Sequence, residues 1–268
     1  MDETGNGVTG TVRGKVLEIV IDRPTVNAID KATSKAIHAQ LRRLQEDDSL
    51  VVGIITGVGK MFSAGWDMKA LAKATSLSDV ESDASHGGFG GITEYHGLNK
   101  PVIAAVNGHA VGGGFEMVLA CDVVVAAEDA CFWLPEMQRG FLADAGALQR
   151  LPRKIPYNVA VDLLLTGRRL TAEEAARWGL VVDVVTRERV MEVARSRADA
   201  LAKSAPLALQ ALKATLREIM SMPIPEALAR TKKGKSGIDI YERMAASEDA
   251  LEGPRAFIER REPRWLGR

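Results

Sequence analysis

Twice along this chain of 268 residues, an apolar run rich in β-branched side chains feeds into a turn built of small residues. The first run covers residues 51–55 and passes through Thr56-Gly57-Val58-Gly59-Lys60 into Phe62-Ser63-Ala64-Gly65-Trp66-Asp67. The second covers residues 102–106. It continues through Asn107-Gly108 to Gly112-Gly113-Gly114, which opens an apolar helix containing Met117, Leu119 and Ala120. Such short runs bounded by turn residues read as buried strands. Small residues after them allow close approach of one backbone to another or to a ligand. The repeated strand, turn and helix constrain the chain to an α/β core.

The remaining pattern agrees. Val16, Leu17, Ile19, Val20 and Ile21 form an early strand that stops at Asp22-Arg23-Pro24. A helix follows, capped by Asp30, with Ala36, Ile37, Leu41 and Leu44 at three- and four-residue spacing before Asp47-Asp48. Further strands are expected at 123–126 and 181–185, and helices near 158–165 and 172–178. From Glu188 onward the pattern is helical, over 191–220 and 224–247, with Pro206, Pro223 and Pro225 at helix boundaries. We expect a core over 1–200 and a helical region over 201–268. The apolar stripes of that last region need a surface to cover them, which implies association with copies of the same chain. Residues 73–92 are rich in Ser, Asp and Gly and read as a mobile loop or lid.

Composition narrows the function. Basic and acidic side chains balance at 35 each, so the overall field offers nothing to a phosphate backbone and nucleic acid is not an expected partner. No apolar run approaches the roughly 18 to 20 residues of a membrane span, since even 117–127 is interrupted by Asp122. The acidic start Met1-Asp2-Glu3-Thr4-Gly5 lacks the apolar segment of a signal peptide, so a cytoplasmic location is expected. Cys121 and Cys131 do not make a disulfide framework or a zinc site, and no metal or redox cofactor is expected. Gly57-Val58-Gly59-Lys60 is not a phosphate loop, because Ile54 stands where the first glycine belongs and Met61 replaces Ser or Thr. Gly108 to Gly114 lacks the dinucleotide order. His38, His86, His96 and His109 form no cluster, and His109 is the one placed in a glycine turn.

Two features carry chemistry. If the two small-residue turns face each other, the backbone N–H groups of Trp66 and Gly113 converge on one oxygen, the second reinforced by the following helix. The same spacing also fits two tight strand-to-helix turns with no ligand. Glu116 and Glu136 lie just after such turns in apolar surroundings, which raises a carboxyl pKa and suits acid and base work near neutral pH. Read from sequence alone they are equally a pair of capping or ion-paired glutamates.

At these residues the chain resembles the crotonase family, the enoyl-CoA hydratases and isomerases. The match spans essentially the whole chain: Asp22-Arg23-Pro24 with Asn27-Ala28, Phe62-Ser63-Ala64-Gly65-Trp66-Asp67, Lys100-Pro101-Val102-Ile103-Ala104-Ala105-Val106-Asn107-Gly108, and Gly112-Gly113-Gly114-Phe115-Glu116. The resemblance implies an α/β spiral of ββα units with a helical C-terminal trimerisation region, assembled as a homotrimer or a hexamer of two trimers. It implies that Trp66 and Gly113 donate N–H groups to a thioester oxygen and that Glu116 and Glu136 are catalytic. Retention of both glutamates favours water addition or elimination. Glu136 is then the α-carbon proton donor and Glu116 the water activator, with CoA as part of the substrate. Lys60, Lys69 and Ala64 are implied at the CoA, and Asp144, Trp133 and Phe115 at the acyl pocket.

Within the family the closest resemblance is to the branch whose substrate pair is crotonobetainyl-CoA and carnitinyl-CoA. It rests on Ala64-Gly65-Trp66-Asp67, on Asp144, and on the ending Glu248-Asp249-Ala250-Leu251-Glu252-Gly253-Pro254 with Arg261-Glu262-Pro263-Arg264-Trp265. The chain departs from that branch at Ala143-Asp144-Ala145-Gly146-Ala147, where Pro-Asp-Ser-Gly-Gly is usual. For a cationic acyl group, Trp66, Trp133, Phe89 or Tyr95 supply candidate cation–π contacts.

Overall fold

A seven-stranded sheet forms the backbone of the molecule, in the order β1 (Glu3–Gly5), β2 (Val8–Arg13), β3 (Val16–Ile21), β4 (Val52–Gly57), β6 (Val102–Val106), β8 (Val123–Ala127) and β11 (Asp183–Val185). The computed structural model describes residues 3–73, 75–76 and 83–268. From β3 onward the pairing in this sheet is parallel. Parallel strands are covered on both faces, which is why β4 and β6 are buried at every position and read as unbroken apolar runs.

A second sheet has the order β10 (Leu170–Thr171), β9 (Cys131–Trp133), β7 (His109–Val111), β5 (Met61–Ser63). Each of β5, β7 and β9 directly follows a strand of the large sheet. The chain therefore winds as repeated units: β4, β5 and helix α2 (Met68–Leu71), then β6, β7 and helix α3 (Gly113–Ala120). In the third unit, β8 and β9 lead through a 3-10 turn at Glu136–Arg139 to helix α4 (Ala147–Lys154). This is the spiral of ββα units that the resemblance implies. The register of the small sheet, Ser63 opposite Ala110 and Val111 opposite Trp133, aligns the ends of the three units.

Helix α1, which precedes β4, spans Lys31–Glu46 and has the expected cap: Asp30 accepts the Thr33 backbone N–H at 2.8 Å. Its inner face buries Ile37, Leu41 and Leu44 completely. Full burial of each such side chain is worth about 1.5 to 3 kcal/mol. The face also meets the glycine segment after residue 86. Gly90 donates to Ser34 Oγ at 3.1 Å, His38 Nδ1 lies 3.2 Å from the Gly91 carbonyl, and a Cβ on Gly90 would strike Met117. Residues 87–93 are buried, which corrects the reading of this end of 73–92 as a mobile loop. The conformations adopted there at Gly87, Gly88, Gly90 and Gly91, all with positive φ, explain the glycines. Residues 74 and 77–82 of the same stretch lie outside the described residues.

Helices α5 (Tyr157–Thr166) and α6 (Ala172–Arg177) stand where expected. The C-terminal helical pattern is more divided than its periodicity indicates. It forms α7 (Val190–Ala202), α8 (Pro206–Ile219), α9 (Ile224–Ala229), α10 (Asp239–Ala246) and α11 (Asp249–Glu259), with Pro206 and Pro225 in first turns and Pro223 as a cap. Gly234 and Gly237, both at positive φ, open the gap between α9 and α10. Helix α7 lays Val190, Ala194 and Ala198 on the main core. Leu207, Ala211 and Ala214 of α8 instead pack with Ile238 and Ile240 as a small separate cluster. Outside these contacts, Leu212, Leu216, Met220, Ile224, Leu228, Phe257 and Ile258 are exposed.

Candidate active site

The site lies where the three units end side by side. After β5, Ser63 turns the chain: its hydroxyl donates to the Asn27 carbonyl at 2.7 Å and accepts the Gly65 N–H at 3.1 Å. Ile29 holds the next residues on both sides, donating to the Gly65 carbonyl at 2.8 Å and accepting from the Asp67 N–H at 2.9 Å. Arg23 reaches this loop as well, pairing with Asp30 at 2.9 Å and with Asp67 at 3.6 Å. The Asp-Arg-Pro and Asn-Ala motifs thus brace the turn that carries Trp66.

The opposing turn is pressed against it. A Cβ on Gly65 would lie 2.8 Å from the Gly113 nitrogen, and one on Gly114 would lie 2.4 Å from the Ser63 carbonyl oxygen. Only glycine permits that approach. Gly112 has φ 53° and ψ −125°, and its N–H donates to the Trp133 carbonyl at 2.9 Å, so β9 fixes the start of α3. Among the described residues, no carbonyl accepts the backbone N–H of Trp66 or of Gly113. The second sits at the start of α3, where helical N–H groups lack internal partners.

Two carboxyl groups face this corner. Glu116, in the first turn of α3, is 2% exposed, and burial pushes its pKa up to about 8, with the charges of Glu136 and Asp144 adding to the rise. Its Oε1 accepts the Ala147 N–H at 3.0 Å, which orients it. Glu136, at the start of the 3-10 turn after β9, is 7% exposed and is raised by burial to about 7. Its Oε1 lies over Gly112, and among the described residues its buried Oε2 has no hydrogen-bond partner. Buried polar oxygens without partners are rare in native proteins. Free N–H donors and a raised carboxyl pair in one corner can stabilise an oxyanion and move a proton.

The enoyl-CoA hydratase/isomerase family pattern matches residues 11–268. The chain belongs to the enoyl-CoA hydratase/isomerase family. It is 47% identical over 259 residues to a carnitinyl-CoA dehydratase of Proteus mirabilis, covering 96% of this chain and 97% of that protein. It is 48% identical over 259 residues to a carnitinyl-CoA dehydratase of Salmonella typhimurium, with the same coverage. Among solved structures it is similar to an enoyl-CoA hydratase from Mycobacterium tuberculosis H37Rv, with TM-score 0.88 and 37% identity, covering 98% of this chain and 100% of that chain.

Within this family member the structure gathers Trp66, Gly113, Glu116 and Glu136, and separates several other residues. Asp144 is exposed, close enough for its charge to raise both glutamates, and lines a cavity of about 880 Å³ with Gly146 and Arg150. Phe115 is fully buried in the core against Phe132, with ring centroids 5.2 Å apart. Trp133 is half-buried, with the Arg169 guanidinium 4.8 Å from its ring centre and His109 packing at 5.7 Å. Lys60 and Lys69 are exposed, and Ala64 is half-buried, donating its N–H to the Val26 carbonyl at 2.9 Å.

His109, left open by its place in the glycine turn, is structural. Its Nδ1 accepts the Cys131 N–H at 3.2 Å, joining β7 to β9, and burial lowers its pKa. Sequence reading missed the positioning residues Ser63 and Asn27. Asn27 adopts φ 51°, and its amide donates to the Val58 and Met61 carbonyls at 3.0 and 2.8 Å. The signal available was an asparagine two residues after a Pro-Thr turn, where a left-handed conformation favours it.

Proposed function

We propose that this protein catalyses reversible hydration of a short-chain enoyl-CoA, with crotonobetainyl-CoA and carnitinyl-CoA as the substrate pair. The observation that carries the chemistry is the buried pair Glu116 and Glu136, raised to about 8 and about 7, beside two unpartnered backbone N–H groups. The thioester oxygen lies between the N–H groups of Trp66 and Gly113. These stabilise the negative charge that develops there as water adds to the β-carbon. Near pH 7.5 the carboxyl pair holds one proton, which belongs to the pair rather than to either group. In the form of the pair that carries this proton on Glu136, Glu116, oriented by the Ala147 N–H, takes the proton of the attacking water. Glu136, seated over Gly112 with an unpartnered oxygen, delivers a proton to the α-carbon. Dehydration reverses each step. The step needs no groups beyond these carboxyls, the two N–H groups and water.

The carnitinyl relatives support the acyl assignment. This reading assigns exposed Lys60 and Lys69 to the CoA phosphates. The exposed apolar positions on α8, α9 and α11 support a homotrimer, alone or paired as a hexamer. Among the described residues no helix is long and apolar enough to cross a membrane.

The test follows loss of enoyl-thioester absorbance with purified protein on crotonyl-CoA and crotonobetainyl-CoA in parallel. Preference for the cationic substrate supports the full reading. Preference for crotonyl-CoA makes this a general short-chain hydratase, and no turnover of either overturns hydration of short acyl groups.

A further inference from the structure

The proposed cationic substrate requires a recognition surface, and the structure separates the aromatic candidates by what each packs against. Trp133 already holds the Arg169 guanidinium at 4.8 Å. Tyr95 packs on His38 with ring centroids 4.7 Å apart and lines the cavity shared with Arg150, Arg153, Lys213 and Arg217. Phe89 is 2% exposed and its ring edge abuts Gly113, where an added Cβ would come within 2.3 Å. Trp66 remains half-buried, with its indole backed by Phe89 at 5.0 Å between ring centroids and tilted by 40°. Phe89 therefore touches both Gly113 and the Trp66 ring.

We propose that the Trp66 indole recognises a quaternary ammonium on the acyl group while its own backbone N–H binds the thioester oxygen, with Phe89 as the positioning residue behind it. This rests on the hydratase reading above. In a trimethylammonio-enoyl thioester only three carbons separate the nitrogen from the thioester carbon, a span of roughly 5 Å. Oxygen and cation are then within the reach of one residue. The alternative resting place is less favourable. The cavity beside Asp144 is lined by Arg150, Arg153, Lys213 and Arg217 against Glu94 and Asp144, so its side chains oppose a second cation. Tryptophan is the aromatic that binds cations best, and desolvation strengthens the contact.

The experiment compares crotonobetainyl-CoA with its neutral carbon isostere, 5,5-dimethylhex-2-enoyl-CoA, and with crotonyl-CoA, for the wild type, Trp66→Phe, Trp66→Leu and Phe89→Leu. All variants keep the backbone N–H at position 66. The readout is the ratio of kcat/KM for the cationic substrate to that for the isostere, measured on one preparation so that a reduced fraction of folded protein cancels. Trp66→Leu lowers this ratio about tenfold, chiefly through KM, with Trp66→Phe between it and the wild type. Phe89→Leu lowers the ratio less than Trp66→Leu does. An unchanged ratio in Trp66→Leu, with both substrates losing equally, overturns the assignment and leaves hydration standing. Wild-type protein that hydrates crotonyl-CoA but not the cationic substrate overturns the acyl assignment together with this one.

Discussion

Glu136 is seated on Gly112: the position of a Cβ on Gly112 falls 2.5 Å from Glu136 Oε1, and the next residue, Gly113, carries one of the two free N–H groups. A proton-carrying carboxyl and an oxyanion donor are thus set by one glycine. The contact joins the second and third ββα units, which the sequence separates by more than twenty residues.

Gly112→Ala breaks this contact directly. The new methyl meets the carboxyl, and φ 53° with ψ −125° is a conformation that only glycine adopts readily. Misplacing one oxyanion donor costs on the order of 100-fold in kcat. Steady-state kinetics on crotonyl-CoA checks this, and a variant within about threefold of wild type would refute it.

The pH profile follows from the two raised carboxyls. Below about 7 both Glu136 and Glu116 are protonated and no base remains; above about 8 both are ionised and no acid remains. We expect kcat/KM to peak between these values and fall on either side. An acid limb at the ordinary glutamate pKa near 4.3 would contradict the buried-pair account.

Replacing either carboxyl removes half of a coupled machine. Glu116→Gln and Glu136→Gln each lower kcat by about 100- to 10,000-fold, and the double variant is little worse than the more damaging single one. Survival of crotonyl-CoA turnover in Glu136→Gln would remove that residue from the mechanism.

The same burial has a thermodynamic consequence. A carboxyl whose folded pKa lies above its unfolded value destabilises the fold as pH rises from about 4.5 toward that raised value, because the unfolded chain ionises first. Glu116→Gln keeps an acceptor for the Ala147 N–H and abolishes the penalty. Its Tm gain over the wild type should be several degrees at pH 9 and small at pH 5, measured by scanning calorimetry. A gain independent of pH would sink the argument.

Ser63 tests the brace behind Trp66. Ser63→Ala removes the donor to the Asn27 carbonyl and the acceptor for the Gly65 N–H in a fully buried setting. Leaving those groups unpaired costs about 1 to 3 kcal/mol of stability. Loosening the turn lowers kcat by about tenfold while KM for CoA thioesters changes less. Denaturant unfolding and kinetics on the same sample separate the two effects.

Much of this protein is determined locally. The buried apolar runs at β3, β4, β6 and β8, the Asp30 cap and periodic face of α1, and the small-residue turns before Trp66 and at Gly112 follow from propensity and spacing within a few residues. So does the placement of Glu116 and Glu136 just past such turns. Strands β5, β7 and β9 were not legible, because three residues carry no periodicity and exist only by pairing with one another. The glycines at 87, 88, 90 and 91 read as a loose loop, yet helix α1 and Met117 bury them, since glycine serves close packing as well as mobility. Tertiary structure also decided what each aromatic packs against. Phe115 and Trp133 lie in the same local apolar settings as the glutamates, but Phe132, Arg169 and His109, brought in from other elements, occupy them. The raised carboxyls likewise depend on burial by three separate units, because desolvation is a property of everything that surrounds a group and not of its neighbours in sequence.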